Sequence, residues 1–228
     1  MSTVAEGLSR VRERIARAAD VAGRDPASVR LLAVSKTKPA SALREAYAAG
    51  QRDFGENYVQ ELLAKAEALA DLPELSWHMI GHLQTNKARQ VVRVARAVHT
   101  VDSTRLAREL GKRAAGAGVL LTVLAEVNLG GEAQKSGCAP RELEDVLAAS
   151  DAEPALALAG LMTVPPHTED PAGARPYFDE LRALRDAHGG AARLPELSMG
   201  MTHDLEHAIL AGATIVRVGT AIFGARGP

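Results

Sequence analysis

The amino-acid sequence predicts an α/β fold, a single (β/α)₈ barrel preceded by an N-terminal helix. Eight short apolar runs alternate with seven amphipathic stretches, and no low-complexity linker or compositional break interrupts the alternation. The length of 228 residues lies within the usual size of such a barrel, so we expect one domain over residues 1–228. An open doubly wound sheet is the alternative, but it normally has fewer strands and a glycine-rich turn after its first strand.

The first element is predicted to be a helix, because apolar residues recur at spacings of four, three and four: Val4, Leu8, Val11 and Ile15. Its arginine-rich polar face also contains acidic residues, in which organelle transit peptides are poor: Glu6, Glu13 and Asp20. The segment therefore does not resemble a secretion or transit signal. We expect a cytoplasmic protein.

The predicted strands are short apolar runs bounded by polar clusters, glycines or prolines. They span residues 31–35, 52–55, 77–81, 97–101, 121–128, 156–164, 196–199 and 214–219. The stretches between them predict helices over residues 40–49, 58–69, 86–95, 104–115, 140–149, 173–187 and 203–210. Few residues follow the last strand, so we expect no ordinary final helix and expect the N-terminal helix to cover that gap.

Composition excludes several function classes. Hydrophobic residues make up 46% of the chain and charged residues 24%, and the net charge is −1, so no global field recruits nucleic acid or an anionic membrane. No stretch approaches the roughly 20 apolar residues that span a bilayer. The single cysteine, Cys138, cannot form an internal disulfide, which suits a reducing cytosol. We expect a monomer whose partners bind at local sites.

Lys36 is the most informative residue, because it directly follows a predicted buried strand and precedes Pro39 by three residues. Active sites of such barrels lie at the carboxyl ends of the strands, where Lys36 falls. Lysine is the usual Schiff-base residue, since desolvation or a nearby cation readily shifts its pKa. The alternative is an amine that merely extends to water past an apolar stem. If the extended backbone continues to Lys38, both amines face the same side.

Two glycine loops are predicted at the same end of the barrel. Ser198-Met199-Gly200-Met201-Thr202 follows the seventh strand, and Gly219-Thr220 follows the eighth. Barrels frequently bind phosphate with these two loops together, so their pairing favours a phosphate ligand. We expect Thr202 to cap the next helix and Asp204 to lie in its first turn. Arg217, within the eighth strand, needs a partner, either a nearby acidic residue or the ring nitrogen or phosphate of a ligand.

Other polar residues give weaker signals. Asn57 follows the second strand, and we expect it to cap a helix first and to contact a ligand second. Two histidine pairs at a spacing of four lack an evident third ligand, so we predict no metal site: His78 with His82, and His203 with His207. No Ser/His/Asp order and no paired carboxylates stand out, and no catalytic residue is predicted.

Six segments, in this order, closely resemble the pyridoxal phosphate homeostasis proteins: residues 33–39 (AVSKTKP), 54–61 (FGENYVQE), 77–87 (WHMIGHLQTNK), 160–162 (GLM), 197–201 (LSMGM) and 217–224 (RVGTAIFG). The resemblance covers nearly the whole chain. It implies a barrel like the N-terminal domain of alanine racemase, with pyridoxal 5′-phosphate held as a Schiff base on Lys36 and Arg217 near the pyridine nitrogen. It also implies further cofactor contacts: Asn57, Ser198, Met199, Gly200, Met201, Gly219 and Thr220.

Some positions depart from the family pattern. His82, Thr202 and His203 stand where a proline, a serine and an acidic residue are common. The change at His203 alters the charge near the expected phosphate, so we expect it to affect cofactor affinity without abolishing binding. Lys38 and Lys135 are expected to be surface charges rather than secondary cofactor contacts.

The resemblance implies a role in intracellular vitamin B6 homeostasis, in which the cofactor is buffered or delivered to acceptor enzymes. Racemases of this fold use a second, β-rich domain that supplies a catalytic tyrosine, and we expect this chain to lack it. Stereochemical inversion needs proton transfer on both ring faces, so efficient amino-acid catalysis is not expected. A slow racemase, with Tyr58, His82 or another loop residue as proton donor, is the first alternative. A barrel that binds a sugar phosphate or nucleotide is the second.

Overall fold

Eight parallel strands form a closed barrel in which each strand pairs with its neighbours in chain order and β8 returns to β1. The structure, a computed structural model, describes residues 3–132 and 134–225. The strands are β1 (Arg30–Val34), β2 (Asp53–Glu56), β3 (Ser76–Met79), β4 (Ala97–Val101), β5 (Leu121–Glu126), β6 (Leu156–Met162), β7 (Glu196–Ser198) and β8 (Ile215–Val218). The predicted barrel is confirmed, and the predicted strands differ mainly in extending further at their carboxyl ends.

The helices are α1 (Val4–Val21), α2 (Ala40–Ala48), α3 (Val59–Ala68), α4 (Ala88–Val91), α5 (Thr104–Ala117), α6 (Leu143–Asp151), α7 (Arg175–Ala187), α8 (Gly190–Arg193), α9 (Leu205–Leu210) and α10 (Thr220–Phe223). The prediction of one helix over residues 86–95 was too long, because the chain makes a 3₁₀ turn over Thr85–Lys87 and only one α-helical turn after it. The short α8 was not predicted. It begins where Gly189 and Gly190 take positive φ angles after α7.

The N-terminal helix packs beside α2, α9 and α10, and so covers the wall that the four-residue α10 leaves thin. A capping box starts it, in which Thr3 Oγ1 accepts from the Glu6 amide and the Glu6 carboxylate accepts from the Thr3 amide. Its close approach to α10 requires glycine at position 7, since a Cβ there would lie 2.6 Å from the Ile222 carbonyl oxygen. No helix in the described ranges has the length and apolar character needed to cross a membrane.

Alternation along the strands separates two environments. In β3, β7 and β8, the residues flanking the polar ones belong to the apolar core between strands and helices, as Val216 and Val218 do on either side of Arg217. The buried polar residues of these strands therefore point into the barrel: His78, Ser198 and Arg217. A small apolar cluster of Leu32, Ile80 and Ile215, with Val34 packed against it, accompanies them. The barrel interior near the carboxyl ends of the strands is thus partly polar.

Candidate functional site

Lys36 lies two residues beyond β1 at the carboxyl rim of the barrel, where its half-buried side chain lines a cavity of about 320 Å³. The same cavity is lined by five other residues that the sequence analysis assigned to the site: Asn57, Met201, Arg217, Gly219 and Thr220. Three assigned residues do not line it: Ser198, Met199 and Gly200. Residues that were not assigned to the site complete its wall: Val34, Ile80, Val164, Thr202 and His203.

The backbone on both sides of Lys36 is held by a buried ion pair. Lys65 Nζ, on α3, lies 2.7 Å from Glu56 Oε1, and it also donates to the Ser35 carbonyl oxygen at 2.7 Å. Ser35 Oγ donates to the same Glu56 oxygen at 2.6 Å. On the other side, Glu61 accepts from Lys65 and from the Thr37 amide. These five residues, which we call the Lys65 clamp, fix the segment that carries Lys36.

Burial raises the pKa of Glu56, although the hydrogen bonds from Lys65 and Ser35 oppose the rise. The clamp therefore depends on Lys65. Without that ammonium, a fully buried carboxylate would lose its charged partner.

The backbone turns directly after Lys36. Thr37 has a φ of 63°, a left-handed conformation that a β-branched residue rarely adopts. The extended geometry therefore ends before Lys38, whose Nζ donates to the Ala225 carbonyl oxygen at 2.7 Å. The condition under which both amines would face the same side is therefore not met, and Lys38 does not line the cavity with Lys36.

The two predicted glycine loops meet at the cavity. Thr220 Oγ1 donates to Thr202 Oγ1 across 3.2 Å, which joins the loop after β8 to the loop after β7. The expectation that Thr202 caps the next helix was wrong, because α9 begins three residues later, at Leu205. Asp204 is instead buried and accepts from the Met201 amide at 2.6 Å. Gly200 has a φ of 93°, and a Cβ there would lie 2.5 Å from that of Ala208.

Arg217 is buried, and its partners are neutral. Its Nη1 donates to Ser198 Oγ at 2.8 Å and its Nη2 to the Thr163 carbonyl oxygen at 2.9 Å. The sequence left open whether the partner of Arg217 is an acidic residue or a ligand. The observed partners are of neither kind, because one is a serine hydroxyl and the other a backbone carbonyl oxygen. Burial lowers the pKa of Arg217 to about 10, while the charges of Glu126 and Asp204 oppose the shift. The guanidinium therefore stays protonated at neutral pH.

Ser198 begins a hydrogen-bonded chain through the barrel. His99 Nδ1 lies 2.9 Å from Ser198 Oγ, His99 Nε2 lies 2.9 Å from His78 Nδ1, and His78 Nε2 lies 3.0 Å from Asp53 Oδ1. Because Arg217 can only donate, one consistent assignment runs from Arg217 to the Asp53 carboxylate, with both histidines protonated on Nε2. Burial, followed by the charges of His78 and Arg217, holds the pKa of His99 well below its usual value. We call this series the Arg217 chain.

The Arg217 chain explains why Ser198 does not line the cavity, since its hydroxyl is engaged beneath Arg217. It also separates His78 from His82, which is exposed and lies 3.3 Å from Asp102. His78 and His82, considered above as a pair, thus have different partners.

Known proteins are similar to this chain in sequence and in fold. The family model described as alanine racemase, N-terminal domain, matches residues 7–227. A pyridoxal phosphate homeostasis protein of Pseudomonas aeruginosa is 52% identical over 227 residues, which are 99% of this chain and 97% of the relative. The chain belongs to the pyridoxal phosphate homeostasis protein family. A relative of the same name from Aquifex aeolicus is 48% identical and covers 97% of each chain.

Among solved structures, PipY of Synechococcus elongatus PCC7942, with PLP (pyridoxal 5′-phosphate) bound, superposes with a TM-score of 0.86. It is 40% identical, and the match covers 97% of this chain and 100% of PipY. The resemblance inferred from the six sequence segments is confirmed at the level of family and fold.

Asn57 does not cap a helix. The helix α3 begins at Val59 after Tyr58, without a side-chain cap, so the expectation that Asn57 caps it was wrong. The Asn57 side-chain oxygen is buried and has no hydrogen-bond partner among the described residues. A Cβ at Gly81 would lie 2.1 Å from the Asn57 carbonyl oxygen, so the close packing of Gly81 positions this loop. Asn57 thus contributes to the cavity wall rather than to a helix end.

Several site residues were missed, and a signal existed for some of them. His99 follows Val98 of the apolar core in β4, so alternation predicts that its side chain points into the barrel, where it contacts Ser198. For Thr202 the signal was its position, because it directly follows Met201, which was predicted to contact the cofactor. Lys65 gave no comparable signal, because a lysine on an amphipathic helix usually faces solvent.

Proposed function

We propose that this chain binds PLP in the cavity lined by Lys36, with covalent attachment at Lys36 Nζ, and that it buffers the cofactor or delivers it to acceptor enzymes. The observation that carries the proposal is the joint lining of one cavity by an amine, a guanidinium and two hydroxyl-bearing glycine loops. PLP supplies an aldehyde that condenses with a primary amine and a phosphate that needs hydrogen-bond donors. The relative PipY, whose structure has PLP bound, supports PLP as the ligand.

The residues present fit the group. The Lys65 clamp holds the segment that bears the amine, and the contact between Thr220 and Thr202 holds the two phosphate-type loops together. Thr202 and Thr220 add hydroxyl groups to this end of the cavity. Arg217 supplies a guanidinium that is held in place by its hydrogen bonds to Ser198 Oγ and to the Thr163 carbonyl oxygen. Ser198, Met199 and Gly200 do not line this cavity, and their contact with the ligand stays a prediction.

A carrier fits these residues better than an enzyme. Arg217 keeps its proton at neutral pH, so it can donate to a ring nitrogen but cannot accept from one. An arginine that donates to the pyridine nitrogen of PLP disfavours protonation of that nitrogen. PLP needs the protonated ring to act as an effective electron sink. The names of the relatives, which describe homeostasis, support the same conclusion.

Proton exchange at the α-carbon of amino acids tests this part of the proposal. In deuterated water, the PLP-loaded protein should exchange the α-proton of alanine no faster than free PLP does. A slow racemase would exchange it faster, and Lys36→Ala would abolish the excess. That result would replace the carrier with an enzyme.

The absorbance spectrum of PLP-loaded protein tests the binding site. Lys36→Ala should lose the imine absorbance band, because no other amine among the described residues lines this cavity. The matched control is Lys38→Ala, which removes an amine two residues away that donates to Ala225. It should retain the band. An unchanged spectrum in Lys36→Ala, or loss of the band in both variants, would contradict the proposal.

A further inference from the structure

A second cavity adjoins the one lined by Lys36. It has a volume of about 520 Å³, and Asn57, Ile80 and Val164 line both cavities. Its far side is formed by Glu126 and by the loop after β5, with Ser136 among its residues. None of the functions assigned above uses this space.

Glu126, the last residue of β5, brings an unsatisfied carboxylate to this cavity. Ala125 and Val127 on either side of it belong to the apolar core, so its side chain points into the barrel. The residue is only 5% exposed. Oε1 accepts from Ser136 Oγ at 3.0 Å, whereas Oε2 has no hydrogen-bond partner among the described residues. The Asn57 side-chain oxygen, also buried, lacks one as well. A buried acceptor without a donor is costly. Because both residues line this cavity, the two acceptors indicate a ligand that donates.

The neighbouring basic side chains have other partners. Lys135 lines the cavity, but its Nζ pairs with Glu132 and donates to the Pro165 carbonyl oxygen at 3.1 Å. His82 also lines it and lies against Asp102. Burial raises the pKa of Glu126 to about 7, with a further rise from Asp102 and opposing effects from Ser136, Arg217 and His82. Glu126 therefore gains its charge near neutral pH without a cation bound to it.

We propose that this second cavity binds the ammonium group of a small primary amine, such as a free amino acid, through Glu126 and Asn57. An ammonium supplies three donors and the opposite charge, whereas an alcohol supplies a single donor and an anion would be repelled. The choice of amines as the biological class rests on the proposed function, because amines react with PLP. An amine bound here would stand beside the Lys36 cavity.

Saturation-transfer NMR with n-propylamine on PLP-free protein at pH 8.5 tests the site, with 1-propanol and propionate as comparison ligands. We expect wild type to bind propylamine, to bind the other two far more weakly, and to lose at least about tenfold in affinity in Glu126→Gln. The matched control Glu144→Gln, on the exposed face of α6, should bind as wild type does. Equal binding by Glu126→Gln, or equal binding of 1-propanol, would overturn the proposal.

The pH dependence provides a second measurement that needs no variant of Glu126. Propylamine stays protonated from pH 6 to 8.5, so its affinity should rise as Glu126 ionises, with a midpoint near 7. The groups facing Glu126 are Asp102, His82, Arg217 and the Cys138 thiol, whose pKa burial raises to about 12. The rise should persist in His82→Gln, which removes the imidazole that faces Glu126. A flat profile would overturn the proposal.

Lys36→Ala separates this proposal from the proposed function. The variant should lose PLP attachment and keep propylamine binding. If wild type binds no PLP but binds propylamine through Glu126, the proposed function fails and the amine site stands. If PLP binds at Lys36 and propylamine does not bind, only the amine site fails.

Discussion

Replacing Lys65 with methionine should lower the free energy of unfolding by about 3 to 5 kcal/mol, because it leaves the buried Glu56 carboxylate without its cation. The Ser35 carbonyl oxygen and Glu61 also lose a donor. Removing the ammonium takes away a group that lowers the pKa of Glu56, so that pKa should rise further. A carboxyl group with a raised pKa in the folded state costs stability as the pH rises above its unfolded value. The defect should therefore be larger at pH 8 than at pH 5.

Urea denaturation of wild type, Lys65→Met and Lys65→Met/Glu56→Gln measures this effect. The double variant should recover part of the loss, because glutamine carries no charge to desolvate. Glu61→Gln is the matched control, since Glu61 is partly exposed and the pair of Lys65 with Glu56 remains. A loss below about 1 kcal/mol in Lys65→Met would show that the clamp does not hold the Lys36 segment as described.

Replacing His99 with leucine should cost about 2 to 4 kcal/mol, because it leaves Ser198 Oγ and His78 Nδ1 without the partner each has at 2.9 Å. His99 is fully buried, so no surface contact can compensate. Arg217 would keep its bond to Thr163 but lose a fixed acceptor at Ser198. In PLP-loaded protein, we therefore also expect a shifted cofactor absorbance band, which destabilisation alone would not produce.

The free energy of unfolding of wild type and of His99→Leu should depend differently on pH. The folded-state pKa of His99 lies well below its usual value, so the unfolded chain takes up the proton first as the pH falls. Wild-type stability should fall below pH 6.5 by up to about 1.4 kcal/mol per pH unit through this residue, and His99→Leu should lack that slope. The gap between the two proteins should narrow from pH 8 to pH 5. The control is Ser76→Ala, since the Ser76 hydroxyl lies 3.3 Å from His78 Nε2 at the partly buried end of the Arg217 chain. This variant should change the free energy of unfolding little.

The barrel could be predicted because its signal is local and repeated. Each buried strand is a short apolar run, and residues 97–101 were even predicted with the observed bounds. The position of Lys36 at the rim follows from the fold, since the carboxyl ends of all eight strands meet there. The meeting of the two glycine loops followed from their places after β7 and β8.

The rest of the site depends on contacts between distant parts of the chain. The partners of Lys65 include Ser35, 30 residues away, and nothing in α3 distinguishes this lysine from a solvent-exposed one. The turn at Thr37 could not be predicted either, because threonine rarely adopts a positive φ. Helix starts were also misassigned at Asn57 and Thr202, where a residue typical of a cap has a different role.

We propose a single covalent attachment point for PLP, Lys36 Nζ, in the cavity that Thr202 and Thr220 of the two joined loops also line. Borohydride reduction of PLP-loaded protein, followed by peptide mapping, tests this most directly, because reduction fixes the cofactor on the lysine that carries it. We predict a single major adduct on Lys36, and none on Lys38, whose amine donates to Ala225 outside this cavity. A major adduct on Lys38, Lys65 or Lys135, or no adduct in protein that still holds PLP, would contradict the account.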